Sequence, residues 1–145
     1  MSDSRHLRLR MNKNRRLAFK PAEYQRRYDL VLENMKVSGL DAILIHGPEN
    51  ITYLTGYETP GYYRYYCLVM DRGEQPILVG RRIEMMTNVP EFSWLTQTKN
   101  VEDHQAPVDI TSQMIEKLGM ARRSIGVEKS GWFFPVREYE ALQAR

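Results

Sequence analysis

The chain has 145 residues, of which 42% are apolar and 27% charged, with a formal net charge of +3. That length fits one domain with a tail, and the balance excludes a wholly disordered or fibrous chain. No run approaches about 18 apolar residues, no apolar segment follows the polar start Met1-Ser2-Asp3-Ser4, and Cys67 is a lone cysteine. No membrane span, secretory signal or disulfide scaffold is therefore expected, and a cytoplasmic, reducing compartment is.

The charge is uneven. Residues 1–20 hold seven basic residues and one acid, a balance of +6, which leaves −3 for the remainder. The basic character belongs to the leader, and the body lacks the basic face expected of a nucleic-acid binder. Residues 1–18 show no sustained periodicity and read as a basic flexible leader. The folded domain is expected over 19–145.

Pro21 suits a first helical turn, and Glu23 beside it complements the helix dipole. Tyr24, Tyr28, Val31, Leu32 and Met35 then form one apolar stripe. Glu33 and Lys36 are spaced to pair on the outer face, and Gly39 marks the stop. Leu40 to His46 is a nearly unbroken apolar run, as in a strand covered on both faces. A short helix follows from Pro48 and ends near Gly56.

Tyr62–Tyr66 reads as the entry to a second strand, Tyr65–Met70. Asp71-Arg72-Gly73 turns the chain into a third, Pro76–Gly80, making a hairpin. A short helix over 81–89 ends near Pro90, and Phe92–Thr96 reads as a short strand. Asp109 is the expected N-cap of a helix bearing Ile110, Met114, Ile115 and Leu118, with Gly119 as its stop. A last strand spans Ser124–Glu128. Pro135 opens a final helix with Val136, Tyr139 and Leu142 on one face. The alternation predicts an α/β, three-layer sandwich around a mixed sheet of five or six strands with one antiparallel hairpin. The chain stops at Arg145 within a helical pattern, from which a longer parent protein is expected.

Chemistry is sparse. His6, His46 and His104 are far apart, and no HExxH, CxxC, GxSxG or Walker pattern occurs. Cys67 lies in an apolar run, where a thiol is ordinarily inert core. The distinctive stretch is Tyr57 with Tyr62, Tyr63, Arg64, Tyr65 and Tyr66, five tyrosines and one arginine in ten residues. Tyrosine with arginine is the composition of interfaces and carboxylate-binding pockets. The alternative reading is tyrosines flanking a sheet edge beside a solvated arginine.

Asp41-Ala42-Ile43-Leu44-Ile45, followed by Pro48-Glu49-Asn50-Ile51-Thr52-Tyr53-Leu54-Thr55-Gly56-Tyr57, resembles the N-terminal domain of the creatinase/prolidase/aminopeptidase P family. Arg82 and Glu84 also resemble that family's Arg-x-x-Glu region at shorter spacing. The likeness covers roughly 19–145 and is strongest over 24–80. It implies an α/β domain that carries no catalytic residue and binds neither metal nor cofactor. It also implies a C-terminal pita-bread domain, outside this chain, whose Asp, Asp, His, Glu and Glu residues commonly hold two divalent ions (Mn, Co or Zn) in the peptidases. Creatinase itself works without metal. Partners implied are that C-terminal domain, a second subunit in a homodimer, and a peptide or small-molecule substrate, with no nucleic acid or membrane. Tyr62, Tyr63 and Arg64 then become candidate substrate-binding residues. Two alternatives remain at this point: a stand-alone binding module using the Tyr/Arg loop, and a nucleic-acid-associated protein relying on residues 1–20.

Overall fold

The computed structural model describes residues 7–13 and 16–145. Among these residues five strands form one sheet in the order β4-β3-β2-β1-β5. They are β1 (Ala42–Ile45), β2 (Cys67–Asp71), β3 (Ile77–Arg81), β4 (Thr98–Val101) and β5 (Ile125–Val127). β1, β2 and β3 are joined antiparallel, whereas β4 runs parallel to β3 and β5 parallel to β1. The sheet is thus mixed, as the hairpin and the helix–strand alternation predict.

Among the described residues six helices cover it: α1 (Pro21–Val37), α2 (Pro48–Thr55), α3 (Arg82–Met86), α4 (Asn88–Phe92), α5 (Pro107–Lys117) and α6 (Val136–Gln143). Because strand side chains alternate, β1, β2 and β3 each feed two cores. Leu68, Met70 and Leu78 join Tyr24, Tyr28, Leu54 and Trp94 on one face. Cys67, Val69 and Val79 join Ile110, Met114 and Met120 on the other. This double burial is why β1–β3 read as unbroken apolar runs.

α1 ends as its sequence requires. Gly39 takes φ +68°, the Leu40 N–H donates to the Met35 carbonyl and the Gly39 N–H to that of Lys36. That pairing satisfies carbonyls the helix leaves orphaned. The tyrosine stripe faces the core, but the charge pairing differs from expectation. Glu23, not Glu33, carries the ion pairs, to Arg26 and Arg27 at 2.8 Å each.

Other expectations are corrected. Helix 81–89 is two short helices, with Pro90 inside the second, where its missing N–H falls in an unpaired first turn. Phe92–Thr96 is not a strand; the edge strand is Thr98–Val101. Ala106, not Asp109, precedes the first turn of α5. Residues 60–64 are a turn, so β2 begins at Cys67.

Part of the leader is docked. The Gln25 amide accepts from the Leu9 N–H and donates to the Leu7 carbonyl, both at 2.8 Å. Gln75 does the same for Arg10 and Arg8, at 2.8 and 2.9 Å. Each side-chain amide thus stands in for a peptide group of a neighbouring strand, and Leu9 is buried beneath. Leader positions 1–6 and 14–15, including His6, lie outside the described residues.

Candidate functional site

The Tyr/Arg loop starts where α2 stops. Gly56, at φ +79°, ends the helix, and a Cβ there would meet the Tyr24 hydroxyl and Leu17 Cδ2 at 2.9 Å. Both the backbone conformation and the space therefore demand glycine. The Thr52 hydroxyl donates to the Tyr57 carbonyl at 2.8 Å and sets the exit direction.

Beneath the loop lies Glu84, whose carboxylate accepts from the Tyr57 hydroxyl and, at 2.6 Å, from the Thr59 hydroxyl. Thr59 in turn accepts from the Gly61 N–H at 2.9 Å. Burial pulls the Glu84 carboxyl upward, but the hydroxyls of Thr59, Tyr57 and Tyr66 outweigh it and hold the group below its usual range. Burial, then the Glu84 contact, pushes the Tyr57 phenol well up. Glu84 is thus an ionised anchor, and Tyr57 and Tyr66 are neutral donors.

The five tyrosines split by direction. Tyr57 and Tyr66 are core. Tyr65 points at α5, where its hydroxyl lies 2.8 Å from Thr111 Oγ1 and 3.3 Å from His46 Nε2. The Thr111 hydroxyl already donates to the Pro107 carbonyl, so Tyr65 donates to Thr111 and the His46 proton belongs on Nε2. Tyr62, Tyr63 and Arg64 are exposed, with the Arg64 guanidinium 5.2 Å from the Tyr63 ring centre. The turn closes where the Arg64 N–H donates to the Gly61 carbonyl at 2.8 Å. The three candidate substrate-binding residues therefore share one outward turn. Arg82 stands apart, exposed and 3.6 Å from Glu102.

Sequence reasoning missed two contributors. The first is Glu128, just past β5. Its carboxylate accepts from the backbone N–H of His46 and Gly47 at 2.6 and 2.7 Å, and from the Asn50 amide at 2.5 Å. It fills the positive N-terminal end of α2 with the protein's own anion. The second is Trp132-Phe133, on the segment Glu128 tethers. Trp132 meets Tyr62 edge-on at 6.5 Å between ring centres. The only local signal was three aromatics in a row between Gly131 and Pro135.

Trp132, Phe133 and Tyr62, with Phe19, Tyr53 and the outer side of α2, line an open groove of about 750 Å³. His46 is a core residue, stacked on Phe134 at 3.8 Å. Cys67 is a buried free thiol, pushed well up by burial. His104 is exposed in a loop. Among the described residues no three His, Cys, Asp or Glu side chains gather as metal ligands, and no helix is long and apolar enough to cross a membrane. What the turn offers is recognition: a guanidinium for a carboxylate, and ring faces for apolar or cationic groups.

Comparison with known proteins gives a consistent result. The sequence profile of the Creatinase/Prolidase N-terminal domain matches residues 27–145. An uncharacterized hydrolase/peptidase of Sinorhizobium fredii is 27% identical over 137 residues, covering 88% of this chain and 34% of the relative. The ectoine hydrolase of Halomonas elongata is 26% identical over 137 residues, covering 87% of this chain and 34% of the relative. The chain thus spans about a third of the length of these two relatives. The N-terminal domain of a Xaa-Pro dipeptidase from Lactobacillus brevis superposes with a TM-score of 0.69 at 18% identity, over 81% of this chain and 86% of that one, a likeness of fold.

Proposed function

The chain belongs to the creatinase/prolidase N-terminal domain family, and from that premise we propose that it is the non-catalytic N-terminal domain of a creatinase-like or Xaa-Pro peptidase-like hydrolase. In this reading it supports a homodimer and admits substrate to a C-terminal active site that cleaves a C–N bond. Any divalent ion (Mn, Co or Zn) belongs to that C-terminal domain, and the enzyme works in the cytoplasm. The relatives' names, a hydrolase/peptidase and an ectoine hydrolase, support the hydrolase reading.

The observation that carries the role in substrate access is the outward display of Tyr62, Tyr63 and Arg64 on a turn anchored from below by Glu84. Arg64 holds the substrate carboxylate bidentately, and the two rings flank it. In the enzyme that carries this domain, Arg64→Ala is expected to raise KM by about tenfold or more while kcat stays within about twofold, as for loss of a charge-assisted hydrogen bond used in binding. Arg64→Lys should recover part of the loss. An unchanged KM with a lowered melting temperature would reject the role.

A second reading, a stand-alone α/β binding module, draws on one observation. Tyr53, Tyr62, Trp132 and Phe133 line an open aromatic groove beside the loop.

A further inference from the structure

The aromatic groove has a chemistry that Arg64 does not explain. One side of α2 presents Glu49, Thr52 and Tyr53 to it, at i, i+3 and i+4, as a helix places neighbours on a single face. Tyr62 and Trp132, which meet edge-on, also line it, together with Glu58. The rings are unusually open for their size: Tyr53 is 47%, Tyr62 52% and Trp132 65% exposed. Exposed apolar patches rimmed by polar groups mark interaction sites, and tyrosine and tryptophan are the residues that anchor them.

The charge selects the partner. Among the described residues Arg27 is the single cation of the lining, and its guanidinium is bonded to Glu23 at 2.8 Å. Among the described residues no lining cation pairs with the carboxylates of Glu49 and Glu58, both exposed. Ring faces are electrostatically negative, so carboxylates beside them add to an attraction for cations. The protein already uses this combination on itself. The Arg27 guanidinium is sandwiched 4.3 Å from the Phe19 ring centre and 4.2 Å from that of Tyr53.

We propose that this groove is a docking site for a peptide carrying an arginine or lysine, whose charged head lies among Tyr53, Tyr62 and Trp132 and is matched by Glu49 and Glu58. The inference names a ligand class for the inner side of the substrate-access loop. It rests on the reading above for the groove's use in catalysis, not for its capacity to bind.

The test uses the 145-residue chain and the probe acetyl-Gly-Arg-Pro-Gly-amide. Its control is the same peptide with citrulline, which keeps the shape of arginine and removes the charge. In titrations followed by NMR at the Trp132 indole N–H, the arginine peptide should give a saturable shift. The citrulline peptide should bind about tenfold more weakly. Added salt should weaken the arginine peptide. Glu49→Gln with Glu58→Gln should narrow the difference between the two to the part the rings supply, and Trp132→Ala should abolish binding with the melting temperature unchanged. Equal affinity for the two peptides, or no shift with either, would overturn the proposal. So would a monomer–dimer equilibrium that Trp132→Ala abolishes while neither peptide binds, because the occupant would then be a second copy. Such a failure leaves the Arg64 experiment standing as the separate test of the substrate-access role.

Discussion

Replacing Trp94 with alanine is expected to cost the domain about 3–5 kcal/mol and about 10 °C in melting temperature, the range for deleting a fully buried large aromatic side chain. Trp94 is 1% exposed and packs edge-on against Tyr28 at 6.4 Å between ring centres. It also serves α2. Its indole N–H donates to the Leu54 carbonyl at 2.8 Å, and its backbone N–H donates to that of Thr55 at 3.3 Å. Both carbonyls lie in the last turn of α2, which has no intrahelical donor for them. Trp94→Phe separates the two contributions, keeping most of the packing while leaving the Leu54 carbonyl unpaired, at about 1–2 kcal/mol. Urea denaturation of both variants checks the ranking. If Trp94→Phe were as costly as Trp94→Ala, the packing argument would be wrong.

Acidification from pH 6.5 to 4 is expected to remove up to about 3 kcal/mol through His46 alone. Burial lowers the His46 pKa to about 4, and the nearby Glu128 carboxylate opposes that shift. In the unfolded chain the imidazole titrates near its ordinary value of about 6.5. The unfolded state therefore takes up the proton first as pH falls. The contribution is complete above pH 6.5 and is lost through the window down to 4. The geometry agrees, for the ring is flat against Phe134 and its Nδ1 has no partner among the described residues. Glu84, also held low, contributes stability whose loss begins only as pH falls through its ordinary carboxylate value, near the bottom of the His46 window, so the upper part of that window reports His46. His46→Phe keeps the stack and removes the titration. Its unfolding free energy should be flatter than that of the parent chain between pH 6.5 and 4. Identical pH slopes would show that His46 is not the group responsible.

The legible parts of this fold are those written in local spacing. The tyrosine stripe of α1, the Gly39 stop, the doubly covered β1 and the run Asn50 to Tyr57 each carry their instruction within about a dozen residues. β4 was not legible because it is an edge strand with Val101 alone buried, so Thr98-Lys99-Asn100 show no apolar alternation. Arg27 would not be placed inside by its type, and it is buried because two rings and Glu23 take the place of water.

At the candidate site, Tyr62, Tyr63 and Arg64 could be picked out by composition. Which tyrosines turn inward could not, because that depends on Glu84 and Thr111, 27 residues from Tyr57 and 46 from Tyr65. Glu128 is harder still. Its partners His46 and Gly47 are 82 and 81 residues away, and no spacing rule reaches across a crossover to a neighbouring parallel strand.

The central claim is that this domain recognises and orients while the bond-breaking groups belong to another domain. It is tested most directly by incubating the 145-residue chain alone with Xaa-Pro dipeptides and Mn²⁺ or Co²⁺ and measuring released proline. The account predicts no release above the uncatalysed blank, with turnover appearing only when the C-terminal domain is joined to it. Sustained hydrolysis by the chain alone, at a rate proportional to its concentration, would contradict the account.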